Sequence, residues 1–161
     1  MFILIYGAGL RASEVASLRV GDIDRERSMI HIRQGKGNKD RYVILSPCML
    51  NALQTYWRQC RSTTKPSSLT AASAQPENTL IFLGRSNKAL STSSVGAIYQ
   101  HAKRLAGIKK AGGVHALRHA FATHALESGA DLYTIKQLLG HSSITSTVRY
   151  LHMTDKTLQM T

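Results

Sequence analysis

Acids are scarce in this chain. Its 161 residues hold 9 Asp and Glu against 21 Lys and Arg, a formal net charge of +12. Such an excess points to a polyanionic partner, either nucleic acid or an acidic membrane surface. Cysteine is nearly absent too. Cys48 and Cys60 fall in one predicted helix with no CxxC spacing, which argues against a disulfide or metal pair and leaves a reduced, structural role. Nor is there a long apolar run. Phe2 to Tyr6 is too short to cross a bilayer, and no basic segment precedes it as a secretory signal requires, so the expectation is a cytoplasmic protein with no membrane partner. What is present suits a globular fold: 43% hydrophobic residues are enough for a core, and the length fits one domain with no internal repeat.

Periodicity predicts helices throughout and a single hairpin. Met29 to Arg33 alternates with Ile30 and Ile32 on one face, Gly35 to Asp40 supplies turn residues, and Arg41 to Leu45 resumes extended character with Val43 and Leu45. The hairpin is tipped with lysines. Ser46 as N-cap and Pro47 as first helical residue predict a helix to about Arg61, with Leu50, Leu53 and Trp57 on its core face. Ser62 to Thr79 reads as a surface loop, and Leu80 to Leu83 as a short strand. Val95, Ile98, Ala102 and Leu105 then repeat at helical spacing until Gly107 ends the element. The expected fold class is α/β in the α+β sense: mostly helical with a small antiparallel sheet or hairpin.

The stretch "HALRHAFATHALESGADLYTIKQLLGHSSITSTVRYLHMT", His115 to Thr154, concentrates five of the seven histidines with two arginines, two tyrosines and almost no carboxylates. Leu117, Phe121 and Ala125 make Ala116 to Glu127 an amphipathic helix that Gly129 stops, with His115 and Arg118 at its start. Residues i and i+3 share a direction there, and free backbone N–H groups favour an anion, so the place suits a phosphate. Asp131 caps a second helix, Leu132 to Leu139, which ends at Gly140 and delivers His141 into a loop. Ser142 or Ser143 caps a short third helix, and Tyr150 follows it. His115 and His119 have the four-residue spacing of zinc hydrolases, but Ala116 stands where such enzymes need a glutamate base. Arg118 would also set a cation beside the metal, so no metal is expected.

Five motifs in order, GLRASE (Gly9 to Glu14), GKGNKDR (Gly35 to Arg41), HALRH (His115 to His119), LLGHSS (Leu138 to Ser143) and then Tyr150, resemble the tyrosine recombinase or phage integrase family over nearly the whole chain. The resemblance implies that Arg11, Lys36, His115, Arg118 and His141 surround a scissile DNA phosphate and that Tyr150 attacks it. Glu14 and His119 correspond to supporting residues, and Lys39 and Arg41 to DNA-binding ones. It further implies double-stranded DNA as partner, other copies of the chain assembled on DNA as a synaptic tetramer, a monomer when free, no cofactor, and a bacterial or phage origin near the nucleoid. Family members carry an N-terminal core-binding domain, so residues 1–161 are expected to be a catalytic domain that is N-terminally incomplete.

The chemistry of the residues fits. A phosphodiester attacked in line gains charge on its non-bridging oxygens, and two arginines with a histidine offer fixed donors to that charge without a metal. A tyrosine with a pKa of about 10 needs a base or a strongly positive site, and His115 is the candidate base. Lys36 is the candidate acid for the departing 5′-oxygen, with Lys39 as fallback. Two alternatives stand beside recombination: a type IB topoisomerase-like nicking and closing activity, and a DNA-binding remnant that no longer cleaves.

Overall fold

A computed structural model of the chain describes residues 1–33, 40–63, 76–84 and 88–140, and structural statements below concern these. Lys36, Lys39, His141, Tyr150 and the short third helix expected after Ser142 or Ser143 lie outside them. Six α-helices occur among the described residues: α1 (Phe2–Gly7), α2 (Ala12–Ala16), α3 (Pro47–Thr63), α4 (Thr92–Leu105), α5 (His115–Glu127) and α6 (Leu132–Leu139). Three strands, β1 (Ile23–Asp24), β2 (Met29–Ile32) and β3 (Arg41–Ile44), form one antiparallel sheet in the order β1-β2-β3. The protein is thus mostly helical with a small antiparallel sheet, the fold class expected.

Local chemistry sets the helix starts. Ser46 Oγ accepts from the Met49 N–H at 3.3 Å and Pro47 opens α3, where its missing N–H is no loss. Ser91 accepts from the Ser94 N–H at 3.0 Å to start α4, and Asp131 takes the Tyr133 and Thr134 N–H groups at 2.9 and 3.0 Å to start α6. Gly140 ends α6 in the left-handed region at φ 60°, a conformation that glycine adopts without a Cβ penalty.

The register of the sheet fixes what faces inward. Ile30 pairs with both Ile23 and Val43, and Ile32 pairs with Arg41. Ile30, Ile32 and Val43 are buried while Tyr42 and Ile44 are exposed, so alternation puts Arg41 on the same inward side as Val43. That face joins Leu4, Leu10, Val15, Leu45, Phe82 and Val95 in the main core. A second, smaller cluster of Ala122, Ile135 and Leu139 packs α5 on α6. Gly9 sits where the two meet. It has φ 62°, and a Cβ there would lie 2.6 Å from Phe121 Cδ1 and 2.9 Å from Leu139 Cδ2.

Three details differ from the sequence expectation. The sheet has a third strand, because Ile23 and Asp24 pair with Ile30 and Met29, a two-residue element too short to leave a period. Leu80 to Leu83 is not a strand: Leu80 and Leu83 make only isolated bridges, to Arg19 and Ala89. The region given to a loop includes the end of α3 and a 3₁₀ turn at Pro76–Asn78.

Gly9→Ala combines a left-handed backbone with overpacking against Phe121, so it should destabilise the fold by about 2 kcal/mol or more. Urea denaturation of the two proteins measures this, and a loss within 0.5 kcal/mol (about the scatter of surface substitutions) would show that the α1–α2 turn adapts freely.

Candidate active site

The turn between α1 and α2 presents Arg11 and, one helical turn on, Glu14. The Glu14 carboxylate folds back to accept the Arg11 backbone N–H at 2.7 Å and Arg11 Nη1 at 2.6 Å, closing the first turn of α2. It is buried, and two further arginines converge on it. Arg41, arriving on β3, donates from Nη1 and Nη2 to its two oxygens at 2.7 and 2.8 Å, a bidentate pair. Arg118, on the first turn of α5 and only 6% exposed, brings Nη1 within 3.9 Å of Oε2.

The same three guanidinium groups close the end of α6. A helix leaves its last carbonyls without partners and gathers partial negative charge there. Three successive carbonyls are each taken by a different arginine: Leu138 O accepts from Arg41 Nε at 3.1 Å, Leu139 O from Arg118 Nη2 at 2.6 Å, and Gly140 O from Arg11 Nη2 at 3.0 Å. Arg118 Nη1 also donates to Gly9 O at 2.6 Å, which ties the α1–α2 turn into the cluster. One carboxylate and one helix end therefore position three arginines from three separate elements.

Burial alone would push the Glu14 carboxyl up, but the Arg41 hydrogen bonds and charge, with the Arg11 hydrogen bonds behind them, overcome it and hold the pKa at about 2. Glu14 is therefore an anion at neutral pH. Its position rules it out as an acid or base and makes it a holder of cations.

Of the other residues singled out from sequence, His115 opens α5 and is exposed, one turn before Arg118. His119 is exposed a turn later on the same helix, with partners of its own. Arg11, Glu14, Arg41 and Arg118 thus meet at one place, with His115 at the exposed start of the helix that carries Arg118. Lys36, Lys39, His141 and Tyr150 lie outside the described residues. In sequence, however, His141 directly follows Gly140, whose carbonyl Arg11 holds.

The model of the phage integrase family matches residues 1–157. The chain belongs to the phage integrase family. Among curated relatives of this integrase-family chain, a putative integrase/recombinase y4qK of Sinorhizobium fredii is 41% identical over 92% of the chain and 44% of the relative. The tyrosine recombinase XerA of Pyrococcus furiosus is 37% identical over 98% of the chain and 50% of the relative. The chain spans about half the length of the curated relatives it matches. Among solved structures, a crystal structure of XerA recombinase superimposes with a TM-score of 0.78 at 33% identity, covering 98% of the chain and 52% of that one. A XerH site-specific recombinase bound to difH substrate, in a pre-cleavage complex, gives 0.72 at 27% identity, covering 92% and 40%.

Sequence reasoning missed two features of this integrase-family site. Leu138, Leu139 and Gly140 act through backbone carbonyls, which no side-chain motif reveals. The contacts of Arg41, expected to bind DNA, with Glu14 and Leu138 are the second, although the period-2 pattern of Val43 and Leu45, extended back by one step, puts it on the inward face.

A carboxyl whose pKa is depressed by folding contributes stability above its unfolded value, and that contribution disappears as pH falls from the ordinary 4.5 towards about 2. Glu14→Gln should therefore destabilise the protein at neutral pH by about 3 kcal/mol. The gap between the two proteins should close as pH drops through this window. Denaturant titrations at pH 7, 4 and 3 (roughly spanning the usual carboxyl range) test it; a gap that does not change with pH would mean that Glu14 is not the titrating anchor.

Proposed function

We propose that the chain is the catalytic domain of a tyrosine-type site-specific DNA recombinase, which cuts and rejoins duplex DNA without a metal through a covalent 3′-phosphotyrosyl intermediate. The observation that carries this reading is the convergence of Arg11 and Arg118 on one carboxylate and one helix end beside the start of α5, in a member of the phage integrase family. Three guanidinium groups against one carboxylate leave the cluster net positive, a setting in which a phosphodiester is the complementary ligand. The XerH structure bound to its difH substrate supports DNA as that ligand by similarity.

In this reading Arg11 and Arg118 donate to the non-bridging oxygens as negative charge grows on them. His115 takes the proton from the Tyr150 hydroxyl, whose oxygen attacks phosphorus. The P–O5′ bond breaks, and Lys36 gives the departing oxygen its proton. The 3′-phosphotyrosyl bond conserves the energy of the phosphodiester, so religation needs no nucleotide cofactor. His141 adds a further donor to the phosphate, while Lys39 contacts the DNA backbone. The protein acts on double-stranded DNA in the cytoplasm of a bacterium, is a monomer when free, and assembles with other copies on DNA.

Two measurements test the reading. With a library of nicked duplexes that lose their 5′-hydroxyl product on cleavage, the chain should form a covalent protein–DNA adduct in EDTA, and Tyr150→Phe should form none. An adduct on the phenylalanine protein would make Tyr150 the wrong nucleophile. Arg11→Ala should lower the rate of adduct formation on the order of a hundred- to a thousandfold while changing DNA affinity far less. Equal losses of affinity and rate would make Arg11 an ordinary phosphate anchor and favour a DNA-binding remnant.

A further inference from the structure

The three arginines around Glu14 are not equivalent. Arg11 has the most open side chain, 20% exposed against 11% for Arg41 and 7% for Arg118. What sets Arg41 apart is that both of its Nη atoms grip the carboxylate while its Nε takes a carbonyl, whereas the Nη atoms of Arg118 donate to the Gly9 and Leu139 carbonyls. The charge of Arg41 is matched by the carboxylate it grips in bidentate fashion, which leaves little to attract a phosphate. Its guanidinium packs against the turn that ends α6: a Cβ on Gly140 would lie 3.1 Å from both Arg41 Cδ and Nη1, so the absence of a side chain there is what admits it.

Arg41 also has a particular place in the chain. It opens β3, two residues after Lys39 and five after Lys36 in the sequence. Building on the recombinase reading, we propose that Arg41 is a positioning residue of the active site and not a DNA contact. It ties β3 to Glu14 and to the end of α6, and so holds Arg11 and Arg118 at the spacing a phosphate requires. Through Glu14 it steadies Arg11, which shares oxygen Oε1 with it at 2.6 and 2.7 Å. Through Leu138 it steadies the helix end whose next two carbonyls engage Arg118 and Arg11.

The geometry demands arginine. Two parallel donors to a carboxylate plus a third directed at a carbonyl require the planar fork, which the single ammonium of lysine cannot reproduce although it keeps the charge. A misplacement of about 1 Å at reacting groups is enough to lower a rate about a hundredfold.

The test compares the chain with Arg41→Lys and Arg41→Met. Adduct formation on the nicked-duplex library at saturating DNA should slow about a hundredfold in both variants. The slope of log affinity against log salt for duplex binding should stay that of the unmodified chain. A slope lower by roughly 0.9, with the rate at saturating DNA unchanged, would make Arg41 a phosphate contact and overturn the proposal. Full activity in Arg41→Lys would overturn it as well, since charge alone would then suffice. Should Arg41→Met fail to fold, Arg41→Lys carries the comparison.

A second readout needs no cleavage. In amide NMR spectra of the DNA-free protein, Arg41→Lys and Glu14→Gln should shift the same resonances, those of Leu139 and Gly140. Unmoved resonances in Arg41→Lys would overturn the proposal. If the unmodified chain forms no adduct but these shifts appear, the recombinase reading fails while the positioning role of Arg41 stands.

Discussion

A single buried carboxylate, that of Glu14, determines where three guanidinium groups can sit, and the elements that meet at the site are arranged around that constraint. Left alone in the interior, a carboxyl would take up a proton; here Arg41 and Arg11 keep it ionised. The dependence runs both ways. Arginines do not discharge at ordinary pH, so without Glu14 the cluster would hold like charges a few ångströms apart with only backbone dipoles to balance them. The start of α2, the inward face of β3, the first turn of α5 and the end of α6 are thus fixed relative to one another by one ionic centre, and the apolar cores on either side support it.

The cluster is positive by design of its stoichiometry. The end of α6 contributes partial negative charge that offsets part of the surplus, and its three carbonyls orient the guanidinium planes as well as satisfying them. The excess that remains lies next to the start of α5, where His115 is exposed. Long-range and local electrostatics therefore agree in sign: the chain carries a net charge of +12, and the arginine cluster holds a local positive excess.

Much of this was legible in the sequence because the signals were local. Ser46 with Pro47 and Asp131 mark helix starts that the structure has, and the alternation of Ile30, Ile32 and Val43 marks the hairpin. Gly140, read as the end of a helix, stands at a left-handed position. What could not be read was non-local. Arg11, Arg41 and Arg118 are separated by up to 107 residues in sequence numbering, and their partners in α6 are main-chain atoms that leave no compositional trace. Arg118 illustrates the limit: its place at the start of a helix gives no sign of the Gly9 and Leu139 carbonyls that its side chain reaches. The extra strand β1 escaped for the opposite reason, being only two residues long.

The use of main-chain acceptors has a consequence for how such a site can drift over evolutionary time. Every amino acid except in its side chain offers the same carbonyl, so replacing Leu138 or Leu139 by another apolar residue leaves the arginine's acceptor in place as long as the helix still ends there. Only the donors, the carboxylate and the glycines that permit close approach are chemically irreplaceable. A scaffold built this way can change most of its letters and keep the arrangement of its three arginines.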